Sequence, residues 1–269
     1  MERNNPPLLP IIEINNLHKS YGSNKVLNGI DLKVFPGQII GYIGPNGAGK
    51  STTVRILSGL DKDFSGSVTL AGIDVSKSPL EVKKKVGYVP ENAALYEVLT
   101  PTEFLLFVGR LHDMEDDLIL ENIARWMDFF GLSNHLDERI DTFSKGMRQK
   151  VLLTSGLLHD PEIIFLDEPL AGLDANSVIL VKELINKMAE SGKTIFYSSH
   201  MMDVVEKISD RIVLIHSGKI IADGHFETLK SQGDDTLEKV FAQLTGGASI
   251  DDQIDKLTAY FTPKNNSYE

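Results

Sequence analysis

An α/β fold is predicted by the way apolar and helical segments alternate along this 269-residue sequence. The first 91 residues combine short apolar runs with two helical segments, which indicates a mixed β and α/β beginning. A long stretch of helical periodicity follows, and after it short apolar runs alternate with helical segments. That last alternation is typical of a parallel sheet with crossover helices. The sequence therefore predicts a mixed sheet core that is interrupted by an all-helical insert.

The first part of the chain is predicted to hold short strands separated by turns. Ile11–Ile14 and Ile30–Val34 are expected as strands, with loops at Lys19–Gly22 and Lys25–Gly29. Pro36–Gly37 marks a turn into the next apolar run. The elements expected after it are a strand ending at Ile43, a helix at Lys50–Leu60, a strand at Gly66–Leu70, a helix at Pro79–Lys85 and a strand at Val86–Val89.

The region from residue 92 to 158 is predicted to be all-helical. Two groups of apolar residues recur there at helical spacing, namely Phe104, Leu105, Val108 and Leu111, and then Leu118, Ile119, Ile123, Trp126, Met127 and Phe130. Gly131 is expected to end the second of these helices. A third helix is expected to begin near Ser144, with the serine as its N-cap, and to end at Leu158.

Strands and helices alternate again beyond residue 159. The expected strands are Ile163–Leu166, Thr194–Ser198, Arg211–His216 and Lys219–Ala222, and the expected helices are Ala175–Ala189 and Met201–Ile208. Two short amphipathic helices are expected in the tail, one around Leu237, Val240 and Leu244 and the other around Ile250, Ile254 and Leu257. We therefore divide the chain into an α/β core at residues 1–91 and 159–230, a helical subdomain at 92–158 and a tail at 231–269.

A phosphate-binding loop is predicted at Gly44–Ser51, where GPNGAGKS lies between an apolar run and a helix-forming segment. Its glycines allow several backbone N–H groups to converge on one anion. Lys50 supplies a positive charge for the β- and γ-phosphates, and Ser51 supplies a hydroxyl for Mg²⁺. The alternative is a glycine-rich turn with a surface lysine, which the completely filled pattern disfavours. The loop predicts a bound nucleotide without choosing among nucleotide-dependent proteins.

Two adjacent acids, Asp167 and Glu168, follow the apolar run Ile163–Leu166. Carboxylates at the end of a buried strand are costly unless a positive partner is present, and Mg²⁺ with ATP would be that partner. Strand alternation is expected to place the two side chains on different sides. We assign Asp167 to the Mg²⁺ shell and Glu168 to the general base that activates the attacking water. The alternative is a pair of acids at a solvated strand end.

The composition disfavours several classes of protein. A net charge of −11 argues against a general nucleic-acid binder, and the lack of cysteine excludes disulfides and a Cys-ligated metal site. No targeting segment is visible, and the apolar runs fall short of the ~20 residues that a membrane-spanning helix needs. We expect a cytoplasmic protein, and if it acts on a membrane, we expect it to do so through a partner.

Six motifs occur in an order that resembles the ATP-binding-cassette (ABC) ATPases. They are Tyr21, the loop at Gly44–Thr52, FSKGM with Ser144 and Gly146, DEP starting at Asp167, AGLD ending at Asp174, and SSH ending at His200. The resemblance covers about Ile11 to Lys230. It implies a P-loop NTPase fold of ABC type, with an antiparallel β subdomain beside the α/β core and the helical insert.

The resemblance implies a role for each motif. Tyr21 would stack on adenine, and the nucleotide-binding loop would consist of Gly44, Pro45, Asn46, Gly47, Ala48, Gly49, Lys50, Ser51 and Thr52. Glu168, His200 and Lys50 would be catalytic, and Ser51, Asp167 and Glu91 would contact Mg²⁺. Ser144 and Gly146 of the signature motif would complete the ATP site of another subunit, and Asp174 would be the D-loop aspartate, also at the nucleotide site.

Two motifs depart from the usual family pattern. LSGGQ is replaced by FSKGM, with Lys145 and Met147 at atypical positions, and Glu91 occupies the place of the usual Q-loop glutamine. Both variants are similar to the bacterial ABC-2-type transporters, which are mostly exporters. A retained coupling role is expected for Glu91, because a carboxylate can still reach Mg²⁺ or a water.

The resemblance implies an ATP-binding and ATP-hydrolysing subunit that powers a separate membrane permease. It would dimerise with an identical or paralogous nucleotide-binding subunit and lie on the inner face of the membrane, with no nucleic-acid partner. The permease is expected to dock near Glu91 and Leu95–Thr102. Alternatives are an import-type subunit, a soluble ABC ATPase that acts on ribosomes or DNA, and an inactive regulatory module. One cassette without a heptad run disfavours the soluble type.

Overall fold

A computed structural model describes residues 9–91, 95–199, 201–230, 236–245 and 258. The strands within these ranges are β1 (Ile12–Tyr21), β2 (Asn24–Val34), β3 (Ile39–Ile43), β4 (Ser65–Leu70), β5 (Ile73–Asp74), β6 (Val86–Val89), β7 (Ile163–Asp167), β8 (Thr194–Ser198), β9 (Arg211–His216) and β10 (Lys219–Gly224). The helices are α1 (Lys50–Leu57), α2 (Pro79–Lys85), α3 (Pro101–Leu111), α4 (Asp116–Phe129), α5 (Lys145–Leu157), α6 (Ala175–Glu190), α7 (Met202–Ile208), α8 (Phe226–Leu229) and α9 (Leu237–Thr245).

The predicted parallel sheet is confirmed as the core of a six-stranded sheet in the order β10-β9-β3-β8-β7-β6. Its strands are parallel except for β10, which forms an antiparallel hairpin with β9. Strand β3 is central, and Asp167 at the end of β7 lies opposite Ser198 at the end of β8. The carboxyl ends of β3, β7 and β8 therefore meet at one edge, which is where α/β sheets bind ligands.

The four-stranded sheet, in the order β2-β1-β4-β5, is antiparallel. The loops predicted at Lys19–Gly22 and Lys25–Gly29 are wrong, because β1 and β2 continue through most of these residues. Register shifts between Ile14 and Leu17 and near Lys19 break the apolar alternation that would reveal one long strand. Tyr21 is thus the last residue of a strand.

Strand β7 consists of a continuous apolar run because it is buried on both faces. Ile163 and Phe165 pack in a core shared with the four-stranded sheet and α1, whereas Ile164 and Leu166 pack in a second core shared with the helices. Successive side chains point to opposite faces of a strand, and here both faces are covered.

The predicted helices between β6 and β7 are confirmed as α3, α4 and α5. Thr100 and Glu103 form a capping box at the start of α3, and Ser144 caps α5 through the backbone N–H of Met147. The domain boundaries remain a prediction. The first tail helix is confirmed as α9, while the second, around Ile250–Leu257, lies outside the described residues. No described helix is long and apolar enough to cross a bilayer.

Candidate functional site

A cavity of about 330 Å³ lies at the carboxyl edge of the six-stranded sheet. We call it the P-loop cavity, and its described lining consists of Tyr21, Asn24, Val26, Asn46, Gly47, Gly49, Lys50, Ser51, Thr52, Glu91, Asp167 and Glu168. The fold therefore brings the predicted phosphate loop, aromatic side chain, acids and Glu91 to one place from distant parts of the chain. Gly44, Pro45 and Ala48 belong to the same loop.

Two glycines of the loop are required by its geometry. A Cβ at Gly44 would lie 2.2 Å from the backbone oxygen of Ile215 in β9, so only glycine allows this approach. Gly49 precedes α1 with φ 112°, in the region that favours glycine, and a Cβ there would lie 2.6 Å from a side-chain carbon of Leu27. Loop residues and the first residues of α1 line the P-loop cavity, which is the arrangement that an anion site at a helix N-terminus requires.

Lys50 is the buried cation of the P-loop cavity. Its Nζ donates hydrogen bonds to the carbonyl oxygens of Gly44 at 2.6 Å and Pro45 at 3.3 Å. Burial lowers the pKa of Lys50, while the charges of Asp167, Glu168 and Glu91 oppose that effect. The ammonium is therefore held among anions at the position predicted for phosphate binding.

Ser51 and Asp167, two of the residues predicted to contact Mg²⁺, lie against each other. The Ser51 hydroxyl donates to Oδ2 of Asp167 at 3.3 Å, although β7 and α1 are far apart in sequence. Asp167 is 5% exposed. A hydroxyl and a carboxylate are hard oxygen donors, and Mg²⁺ normally completes its shell with waters and phosphate oxygens. These residues therefore fit a Mg²⁺ ion that arrives with a nucleotide.

Glu168 does not continue the strand. Its φ of 50° is left-handed, and its backbone N–H donates to the carbonyl oxygen of Ser198 at 2.9 Å. Strand alternation therefore stops at Asp167, and both acids line the P-loop cavity, which corrects the expectation of different sides. Oε2 of Glu168 accepts a hydrogen bond from the Ser199 hydroxyl at 3.0 Å. Sequence analysis did not single out Ser199, and its neighbour His200 lies outside the described residues.

Tyr21 lies at the rim of the P-loop cavity. Its hydroxyl donates to Oδ2 of Asp61 at 2.8 Å, and the Lys19 ammonium lies 4.7 Å from the centre of its ring. Burial and the hydrogen bond with Asp61 raise the pKa of Tyr21. Sequence analysis missed Lys19 and Asp61. The available signal for Lys19 was its spacing of two residues from Tyr21, which places both on one face of a regular strand.

A second cavity, of about 390 Å³, contains three further predicted residues, Ser144, Gly146 and Asp174. We call it the signature cavity, and it is lined by Ser144, Lys145, Gly146, Met147, Lys150, Gly172 and Asp174. Within the described part of the chain, no residue lines both this cavity and the P-loop cavity. One molecule thus holds two separate halves of the predicted site.

Local contacts shape the signature cavity. Ser144 Oγ accepts the backbone N–H of Met147 at 3.2 Å, so the start of α5 faces the cavity. A Cβ at Gly146 would lie 2.9 Å from the backbone oxygen of Gly172. Asp174 caps α6 by accepting bonds from the backbone N–H of Ser177 at 3.0 Å and its hydroxyl at 2.6 Å, and these bonds lower the pKa of Asp174.

Comparison with known proteins agrees with this geometry. The family model described as ABC transporter matches residues 27–171. The linearmycin resistance ATP-binding protein LnrL of Bacillus subtilis is 36% identical over 84% of this chain and 73% of its own length. The ABC transporter ATP-binding protein NatA of the same organism is 36% identical over 84% of this chain and 93% of its own length. The daunorubicin/doxorubicin resistance ATP-binding protein DrrA of Streptomyces peucetius is 35% identical over 82% of this chain and 67% of its own length.

Solved structures show the same fold. An ATP-binding subunit of an ABC transporter superposes with a TM-score of 0.81 at 29% identity, over 87% of this chain and 99% of its own. A dimeric ATP-binding cassette in a post-hydrolysis state with ADP and phosphate superposes with a TM-score of 0.74 at 23% identity, over 80% of this chain and 98% of its own. The family match, the relatives and the fold agree, and the chain therefore belongs to the ABC transporter family, as an ATP-binding subunit that hydrolyses ATP.

Proposed function

We propose that this chain powers export through a separate membrane permease, by hydrolysing Mg·ATP at sites shared between two nucleotide-binding subunits. The observation that carries the proposal is the separation of the P-loop cavity from the signature cavity, which share no described residue. In a head-to-tail pair with two-fold symmetry, the signature cavity of each subunit would close the P-loop cavity of the other. The second subunit is an identical copy or a paralogue.

The residues of the P-loop cavity suit the hydrolytic half of this site. Lys50 holds the phosphates, and Glu168 accepts a proton from the water that attacks the γ-phosphorus, so that the bond to the bridging oxygen breaks and ADP leaves. Ser51 and Asp167 would hold Mg²⁺, with Glu91 beside them. When bound, Mg²⁺ neutralises charge on the phosphate oxygens. Ser199 orients Glu168 through its hydrogen bond of 3.0 Å, and His200 is assigned to sensing the γ-phosphate.

The signature cavity suits the second half. The N-terminus of α5 attracts anions, and the absence of a side chain at Gly146 leaves its backbone accessible to a phosphate. The Ser144 hydroxyl accepts from Met147, so its own proton remains available for a phosphate oxygen. Asp174 lies beside these residues in the same cavity. ATP would thus hold two subunits together, and hydrolysis would release them.

An exposed apolar surface suits a permease. Leu80 is 72% exposed and Leu111 is 66% exposed, and both line a groove between α2 and α3. Tyr96 and Val98 are also largely exposed, and Tyr96 contacts Phe107 edge-on. Exposed apolar patches mark interaction sites. We place the docking site of the permease here, beside Glu91, which brings the chain to the inner face of the membrane.

The direction of transport is proposed from the relatives. Two of them are named for resistance to linearmycin and to daunorubicin or doxorubicin, and two more are named Nod factor export ATP-binding proteins. Export is therefore favoured over import.

Phosphate release by the purified chain tests the shared hydrolytic site. We expect Glu168→Gln to lower the steady-state rate by roughly 100- to 10,000-fold, the usual contribution of a general base. Glu190→Gln, at the exposed end of α6, is the matched control and should leave the rate unchanged. The rate per molecule of wild type should rise with protein concentration. Equal rates for Glu168→Gln and wild type, or a rate independent of concentration down to the monomer, would contradict the proposal.

Site-specific crosslinking tests the docking surface. A photoreactive residue at Val98 should crosslink to a permease encoded beside this chain when the two are expressed together. The same residue at Leu244, on the exposed side of α9, is the control. Crosslinks from Leu244 and none from Val98 would contradict the proposed docking surface and would indicate that the permease contacts the tail.

A further inference from the structure

A buried ion pair supports the ring of Tyr21. Lys19 is 4% exposed, and its Nζ donates to Oδ1 of Asp61 at 2.8 Å and to the backbone oxygen of Asp63. The same carboxylate accepts the Tyr21 hydroxyl through its other oxygen at 2.8 Å. Lys19 also lies 4.7 Å from the ring centre. One cation and one anion therefore hold the ring at its face and at its hydroxyl.

The ion pair is charged at neutral pH. Burial alone would lower the pKa of Lys19, but the hydrogen bond with Asp61 and the charges of Asp61 and Asp63 outweigh burial and raise it. Burial would likewise raise the pKa of Asp61, but hydrogen bonds from Lys19 and Tyr21 outweigh it and lower that pKa. An ammonium over an aromatic face is attractive, and the attraction grows when water is excluded.

The position of Lys19 determines which ring face remains available. The Lys19 ammonium lies over one face of the Tyr21 ring, and because the Lys19 side chain is only 2% exposed, that face is the one turned towards the protein. Tyr21 itself is 48% exposed and lines the P-loop cavity. Asp61 is joined to the segment that leaves the P-loop helix, because its backbone N–H donates to the carbonyl oxygen of Arg55 at 3.2 Å. These contacts therefore connect the ring, through Asp61, to the helix that follows the phosphate loop.

We propose that Lys19 and Asp61 are positioning residues for the nucleobase, holding the Tyr21 ring ready so that a purine stacks on its open face. This inference rests on the proposed function, because it requires ATP in the P-loop cavity, and it takes the Tyr21 ring as the surface on which adenine stacks, as the family resemblance implies. An aromatic side chain at the end of a strand would otherwise lose rotamer freedom when a base binds. Prior ordering removes that cost, which corresponds to roughly 3- to 10-fold in affinity for one side chain.

The test compares ATP with inorganic tripolyphosphate, which has the phosphates and lacks the base. Dissociation constants are measured by calorimetry for wild type, Lys19→Met, Asp61→Asn and Tyr21→Phe. We expect each substitution to weaken ATP binding by roughly 3- to 10-fold and to leave tripolyphosphate binding unchanged. Lys33→Met is the matched control, because it breaks an exposed ion pair with Glu13 in the same sheet. Tyr21→Phe removes one hydroxyl only, so it carries the test if a substitution of the buried pair prevents folding.

A Tyr21→Ala background separates the inference from the proposed function. In that background Lys19→Met should have no further effect on ATP binding, because there is no ring to position. Equal weakening of ATP and tripolyphosphate, or a Lys19→Met loss that persists without the ring, would overturn the positioning role alone. Tyr21→Ala with the ATP affinity of wild type would instead refute the role of Tyr21 and the inference with it.

Discussion

Acid should destabilise this protein through His159. The residue follows α5 and is half-buried, with its ring stacked on His112 at 3.6 Å between centres. Nε2 lies 3.1 Å from the carbonyl oxygen of Val86, so Nε2 carries the proton and donates it. Nδ1 is buried and has no hydrogen-bond partner in the described part of the chain. Protonation would create a buried N–H without an acceptor, next to a second imidazole.

The size of the effect follows from the pKa. Burial, and secondarily His112, lower the pKa of His159 to about 4. An unfolded histidine has a pKa of about 6.5. Because the folded pKa is lowered, the neutral form stabilises the fold fully above about pH 6.5, and this contribution is lost as the pH falls to about 4. The loss amounts to about 2 kcal/mol at pH 5 and about 3 kcal/mol below pH 4.

Urea unfolding at pH 8 and pH 5 measures this loss. Wild type should lose about 2 kcal/mol more unfolding free energy between these pH values than His159→Gln, which keeps an N–H donor for Val86 and does not titrate. His225→Gln, at an exposed histidine, is the control and should behave like wild type. Equal losses in wild type and His159→Gln would refute the reasoning.

Two glycine substitutions test the close approaches in the site. Gly44→Ala would place a methyl group 2.2 Å from the backbone oxygen of Ile215, so the phosphate loop must move. Calorimetry should show that ATP binding is lost, with about 1–3 kcal/mol less unfolding free energy; binding within a factor of two of wild type would contradict this. Gly146→Ala would place a methyl group 2.9 Å from the oxygen of Gly172, so phosphate release should fall at least about 10-fold while ATP binding by the monomer stays unchanged. Loss of both phosphate release and ATP binding would contradict this and would indicate that Gly146 is needed for folding instead.

The parts predicted correctly are those whose cause is local in sequence. The phosphate loop requires glycines, a lysine and a hydroxyl within a few residues, so it can be recognised from the sequence without knowledge of the fold. Ser144 marks a helix start in the sequence because capping acts over three residues. The apolar run of β7 predicts a strand covered on both faces, and its packing in two cores confirms this.

The parts that were missed depend on contacts distant in sequence. Lys19 and Asp61 are separated by 42 positions, and only the pairing of β1 with β4 brings their surroundings together. The length of β1 was missed because irregular register around Leu17 hides the alternation of a strand. The sequence therefore predicts a loop at Tyr21, and in a loop the spacing of two residues from Lys19 does not indicate a shared face.

Glu168 is the residue at which local preference and the proposed chemistry oppose each other. A left-handed φ of 50° in a residue with a side chain costs on the order of 1–3 kcal/mol and persists only when the surroundings enforce it. The backbone bond to Ser198 and the side-chain bond from Ser199 both enforce it from the end of β8. Glycine would relieve the strain but would remove the carboxylate, whereas regular strand geometry would turn the carboxylate away from Asp167. The left-handed conformation thus keeps both acids in one cavity. The two residues that enforce it, Ser198 and Ser199, directly precede His200 in the sequence.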